Sequence, residues 1–259
     1  MRSRLPAFLL LFAAVSTLDA QPVLLQIRPH SGDTIDVQLE QRLEITTLAG
    51  ESSRRMTTVT QVFSRAIVNR TSSRGADVTA LTDSILTATF AGGKAPPLRR
   101  ASVKDPLMRL RFSTDGGAEL VEGGKSAQIA GAFGPMPATL STRAVSTGDQ
   151  WDRAMQIPVA GEEGAVGHVR AKFRLDSLSD NGDIAYISMR GKLSHDHKDG
   201  SSSEVDGNMT GWIQLDRRLG WITDTRATID VESTVHGRGG QPVKIHTKIT
   251  QQVKATPRK

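Results

Sequence analysis

Cysteine is absent from this chain of 259 residues, which excludes disulfides, thiolate metal sites, a thiol nucleophile and lipidation on an N-terminal cysteine. The fold must therefore rest on burial alone. Aromatic residues make up only 4% and the charges are scattered, so the rings and basic runs that nucleic-acid binding needs are missing. Long apolar runs are also scarce: Leu5 to Leu18 is the one extended stretch, and it falls short of the roughly 20 residues that cross a bilayer as a helix. No integral membrane helix is expected. No Gly-x-Ser-x-Gly elbow occurs, and Gly123-Gly124-Lys125-Ser126 ends like a phosphate loop but has Glu119 where the first glycine belongs.

What is present begins with an export pattern. A basic start, Met1-Arg2-Ser3-Arg4, leads into the apolar run, and Leu18-Asp19-Ala20 offers a small residue before Gln21. Residues 1–20 read as a signal peptide cleaved after Ala20, which implies a periplasmic or extracellular protein. The net charge of +6 favours solubility and a weak attraction to anionic surfaces such as lipid headgroups.

The next feature is a repeated phrase. Ser31-Gly32-Asp33-Thr34-Ile35-Asp36 is answered by Thr147-Gly148-Asp149-Gln150-Trp151-Asp152, and Arg74-Gly75-Ala76-Asp77-Val78 by Asn181-Gly182-Asp183-Ile184, in the same order. This points to an internal duplication: a first β-rich half over 21–122, a Gly/Ala/Pro-rich connecting loop over 123–142, a second half over 143–255 and a frayed basic tail over 256–259.

Alternation supplies the fold class. From Ile35 the odd positions Ile35, Val37, Leu39, Leu43 and Ile45 are apolar, Gln41 being the exception, whereas Asp36, Gln38, Glu40, Arg42 and Glu44 fill the even ones. Further strands are expected over Met56–Val68, Asp77–Phe90, Leu107–Phe112 and Ala118–Val121, with an irregular crossing over Ala91–Pro106 and a short helix near Ala127–Ala132. The second half reads as strands at Trp151–Pro158, Val166–Leu178, Ile184–His195, Asn208–Leu215, Trp221–Thr234 and Val243–Val253. An all-β, mainly antiparallel protein follows, with about ten to twelve strands in two related meanders forming one curved sheet, an open half-barrel or a sandwich.

Candidate chemistry is sparse. His195-Asp196-His197-Lys198-Asp199-Gly200 resembles the His-x-His-x-Asp-His motif of the metallo-β-lactamase family over six residues, but Gly200 replaces its last histidine. His195 and His197 are weak metal candidates; a polar strand end is the simpler reading, and no cofactor is expected. Asp33 and Asp149 follow glycine at strand starts, where a carboxylate accepts turn amides, so catalysis is not needed to explain them. Trp151, Trp212 and Trp221 all fall in the second half. If Leu215 pairs with Trp221, then Ile213, Leu215 and Trp221 share a face and Trp212 with Ile222 takes the other. Core packing accounts for at least two of the three rings, and a ring left on a concave face is a candidate ligand contact.

The Gly-Asp strand starts, the Asn181-to-Ile187 strand opening and the Gly211-Trp212-Ile213, Asp216, Gly220-Trp221-Ile222 hairpin resemble an exported bacterial β-rich domain family of unknown function. That resemblance implies location and fold and brings no catalytic residue. The leading reading is a non-enzymatic envelope protein that holds a lipid or other apolar ligand in a sheet concavity. A scaffold module binding another envelope protein is the alternative, and a hydrolase ranks third.

Overall fold

The computed structural model describes residues 21–50, 52–123, 138–158, 166–194, 204–236 and 242–258. The expected signal peptide, the expected helix near Ala127–Ala132, and His195 and His197 lie outside them. Twelve strands follow in order: β1 (Thr34–Ala49), β2 (Ser52–Ser72), β3 (Gly75–Phe90), β4 (Arg99–Ala101), β5 (Leu107–Ser113), β6 (Ala118–Gly123), β7 (Gln150–Pro158), β8 (Val166–Leu178), β9 (Ile184–Ser194), β10 (Glu204–Asp216), β11 (Trp221–His236) and β12 (Pro242–Pro257). They form one antiparallel sheet ordered β6-β5-β3-β2-β1-β12-β11-β10-β9-β8-β7, with β4 also on β3. The two meanders expected from the sequence therefore meet at the pairing of β1 with β12.

The sheet is open at its edges but strongly curled. Phe112 on β5 and Trp221 on β11 are five strand spacings apart along the sheet, about 24 Å if it were flat. Their ring centroids lie 4.8 Å apart. At the edges, Arg153 on β7 pairs with Asp115 of the β5–β6 turn at 3.3 Å and donates to the Leu140 carbonyl, while Thr139 and Leu140 both donate to the Asp115 carbonyl. Residues 138–141 thus clasp one edge of the sheet to the other.

Three inward glycines let the wall bend. Gly211 lies opposite Met189, Gly191 opposite Met209 and Gly207 opposite Leu193, so each gap in one strand is filled by a large side chain from its neighbour. A Cβ on Gly211 would stand 2.2 Å from the Arg226 carbonyl oxygen and 2.3 Å from Met189 Cε. Glycine at a strand interior usually weakens it, and here it buys close approach of backbone and side chain.

One end of the curled sheet is closed. Residues 21–33 run across its turns: Ile27 donates to the Thr114 carbonyl, Arg28 to that of Gly220, and the Thr71 hydroxyl to that of Pro29. Gly220 has φ +63°, and a Cβ there would meet the Arg28 carbonyl oxygen at 2.2 Å, so only glycine accepts this strap. Leu25 and Ile27 are buried beneath it and join a single core with Ile35, Leu39, Val62, Val78, Met108, Phe173, Leu175, Ile187 and Leu215.

The Gly-Asp phrases form matching turns. Gly32 donates to Val68 and Gly148 to Leu175; Val68 donates back to Asp33 and Leu175 to Asp149; the carboxylates of Asp33 and Asp149 accept from the amides of His30 and Ser146.

Three expectations are corrected. The crossing segment over Ala91–Pro106 contains β4, which is three residues long and too short to show a period, held by pairing with Ile85–Thr87. The tail does not fray before Pro257: Thr256 and Pro257 pair with Asp36 and Ile35, and Arg258 donates to the Thr34 carbonyl. In the β10–β11 hairpin Leu215 pairs with Ile222 and Asp216 with Trp221, because a bulge lies after Gln214.

Candidate functional site

The concave face follows from the registers. Ile35, Val37, Leu39, Gln41, Leu43, Ile45 and Thr47 of β1 face inward, paired across β12 with Pro257, Ala255, Val253, Gln251, Ile249, Thr247 and Ile245. Near the closed end Ile35, Leu39 and Ala255 are buried core, with Val37 and Val253 half-buried against it. Towards the rim, where β1 turns into β2, the inward positions are only half-buried.

Two walls make up this open part. Leu43 and Ile45 of β1, Ile245 and Ile249 of β12, and Ile229 and Val231 of β11 form an aliphatic strip over three adjacent central strands, all half-buried. Beside it β2 and β3 present hydroxyls: Thr58 with Thr89 at 3.1 Å and Thr60 with Thr87 at 3.5 Å. Half-burial of six aliphatics on one continuous surface is costly for a protein with no occupant there.

The floor is polar and uncharged. Gln41 and Gln251 pair across β1 and β12, and neither amide makes a side-chain hydrogen bond with another described residue. Below them lies a cavity of about 120 Å³, lined by Val37, Ala66, Leu110, Trp221, Gln251 and Val253 among others. That is smaller than the roughly 300 Å³ at which small-molecule pockets begin, so the open strip rather than this cavity has the room for an extended molecule.

Charge is sorted between the faces. No Asp or Glu occupies an inward position on the described strands β1, β2, β3, β11 and β12, whereas Arg54, opposite Thr47, and Arg99, opposite Thr87, share the inward face at its margins. Outside, several carboxylates are paired with arginine, among them Asp36, Glu44, Asp77 and Asp83. Hydrogen bonds from Arg42 and Arg55 hold the Glu44 carboxyl below the usual carboxylate range, and those from Arg70 and Arg111 do the same for Asp77.

The three tryptophans occupy three different settings. Trp151 is 8% exposed, stacks on Phe173 at 5.9 Å and donates Nε1–H to the Thr139 carbonyl at 2.8 Å, so it is part of the clasp and core. Trp221, 7% exposed, lies against Phe112 and lines the small cavity. Trp212 stands on the convex face, opposite Ser188. Ile213, Leu215 and Trp221 are inside as the parity argument expected, but Ile222, which it set on the other face with Trp212, pairs with Leu215, packs against the core and lines the small cavity, because the bulge changes the register. The candidate surface consists mainly of residues that sequence reading placed only as strand positions: Leu43, Ile45, Ile229, Ile245 and Ile249. Their signal was the alternation itself, which marks an apolar face without showing that it stays uncovered.

Among the described residues, no group of three or more His, Asp or Glu is placed to hold a metal ion. Asp33 and Asp149 sit at the closed end in separate turns, each occupied by backbone amides.

The class these observations define is an all-antiparallel, open and strongly curled sheet with one closed end and a mixed aliphatic and hydroxyl concavity. No family model matches this chain, and no curated protein matches it in sequence. Among solved structures it is similar to one reported for lipid–protein interactions in lipovitellin, with a TM-score of 0.51, 8% identity, and coverage of 86% of this chain and 25% of that one. The chain thus spans a quarter of that protein's length, and the likeness is one of fold. It also aligns with the OccK7 (OpdD) structure of Pseudomonas aeruginosa at a TM-score of 0.29 and 10% identity, over 87% of this chain and 100% of that one. An outer membrane channel of Pseudomonas putida F1 aligns at 0.24 and 8% identity, over 89% and 98%. Both scores are too low to indicate a shared architecture.

Proposed function

We propose that this chain is an exported, non-catalytic envelope protein that holds an amphipathic lipid against the concave face of its sheet. The observation that carries the reading is the half-buried strip of Leu43, Ile45, Ile229, Val231, Ile245 and Ile249 beside the threonine hydroxyls of β2 and β3. An acyl chain would cover the strip, and a polar but uncharged or anionic part would meet Thr58, Thr60 and the Gln41–Gln251 floor, with Arg54 and Arg99 at the margins. The convex face supports a protein outside the hydrocarbon layer: β1 points Asp36, Gln38, Glu40, Arg42 and Glu44 outward, where a transmembrane barrel needs an apolar band. The fold likeness to a lipid-associated protein adds an analogy and no residue. Export rests on the basic and apolar pattern of residues 1–20.

The test is native mass spectrometry of protein isolated gently from its exporting host, followed by organic extraction. A stoichiometric added mass that extracts as lipid is the expected result. Ile249→Arg puts a cation in the middle of the strip, where the native side chain is only half-buried, so folding is retained while the added mass disappears. A bare mass for the unaltered protein, or full lipid occupancy in the arginine variant, would sink the reading.

A further inference from the structure

The outer surface of β8, β9 and β10 carries a second feature, on the opposite side of the sheet from the concavity. Outward positions on β8 are Arg170, Lys172 and Arg174, and on β9 they are Tyr186, Ser188, Arg190 and Lys192. The register sets Arg170 directly opposite Lys192 and Lys172 directly opposite Arg190. Like charges placed opposite each other across a ladder are destabilising, so two such pairs in succession are unfavourable for the isolated sheet. All five cations are exposed.

The local carboxylates do not cancel them. Asp152 on β7 takes Lys172 at 3.2 Å, and Asp176 takes Arg174 at 3.8 Å. Among the described residues, Arg170, Arg190 and Lys192 have no ion-pair partner. Asp206 on β10 and Asp230 and Glu232 on β11 line one shallow groove together with Lys192, at the margin of the basic face, while Arg170 and Arg190 lie outside that groove.

The same face holds two exposed aromatics. Tyr186 is 42% exposed and Trp212 37% exposed, and they are the aromatic side chains that stand exposed among the described residues. Trp212 pairs with Ser188, two positions along β9 from Tyr186, and with Arg226 of β11. Rings with an apolar body and a polar tip settle at the headgroup level of a bilayer, and basic side chains beside them are attracted to anionic lipid.

We infer that the convex face of β8–β10 docks on a bilayer bearing anionic phospholipid, with Arg170, Arg190 and Lys192 against the headgroups and Trp212 and Tyr186 in the interface. The two aromatics distinguish this partner from a soluble polyanion, which gains nothing from exposed rings. The inference does not depend on what the concavity holds.

The test is co-sedimentation of the purified protein with vesicles of phosphatidylcholine alone and of phosphatidylcholine mixed with phosphatidylglycerol. Binding to the mixed vesicles and not to the neutral ones is expected, weakened by salt. The triple variant Arg170→Gln, Arg190→Gln, Lys192→Gln should bind at least about tenfold more weakly. Trp212→Ser should weaken binding while retaining the wild-type melting curve, and the emission blue shift on vesicle addition should vanish in Trp212→Phe. Equal binding to neutral vesicles, unchanged affinity in the folded triple variant, or indifference to Trp212 would overturn the inference. Vesicle binding by a protein whose extract holds no lipid would separate this face from the concavity.

Discussion

At the residue scale, the tight wall of β9 and β10 depends on glycine as a space-maker. Gly211→Ala would drive a methyl group into the Arg226 carbonyl and Met189, so a loss of about 1–3 kcal/mol is expected, read as a lower urea midpoint with unchanged slope. Glu44 makes a separate prediction. Its folded pKa lies below its unfolded one because Arg42 and Arg55 donate to it, so its contribution is complete above about pH 4.3 and is lost as pH falls through the lower folded value. Glu44→Gln should therefore be less stable than wild type at neutral pH, with the gap closing in acid, as followed by thermal melts across that range. The identities of both residues are plain in the sequence, but their partners are not. Arg55 reaches Glu44 only because the β1–β2 hairpin closes in a register that local alternation does not specify.

At the element scale, long one-sided strands such as β1 are readable because a period of two persists through many residues. β4 was hidden by its length, and the last turn of β12 by its composition. Thr256, Pro257 and Arg258 look like a polar tail, yet their pairing partners are Thr34 to Asp36 near the other terminus. Ala255 is buried against this seam, so deletion of residues 255–258 should lower stability by about 2 kcal/mol or more, measured by chemical denaturation. A truly frayed tail would leave it unchanged. The bulge after Gln214 shows a further limit. It changed the partners of Leu215 and Trp221 while leaving both buried, since burial selects the face and the ladder then accommodates one extra residue.

At the scale of the whole molecule, the sheet class and its two meanders were legible, whereas the concavity was not. Alternation in Leu43, Ile45, Ile229 and Ile249 is the same for a face sealed by a second layer and for one left open. The difference lies in the curl, which brings Phe112 to Trp221 and Arg153 to Asp115 at the closed end and leaves the rim half of the inner face without a covering strand among the described residues. Trp212 shows the complementary case, since its exposure becomes meaningful only beside Arg170, Arg190 and Lys192, which the chain contributes from β8 and β9.

The seam between β1 and β12, the first and last strands in chain order, joins Ile35 to Pro257 and Ala49 to Val243. Closing so large a loop is entropically slow, so it is expected to follow the local hairpins of each meander. The cup therefore has no partial version. Until the final strand zips into place, each meander is a sheet with a bare greasy side and an unpaired edge, the combination most prone to joining the wrong neighbour.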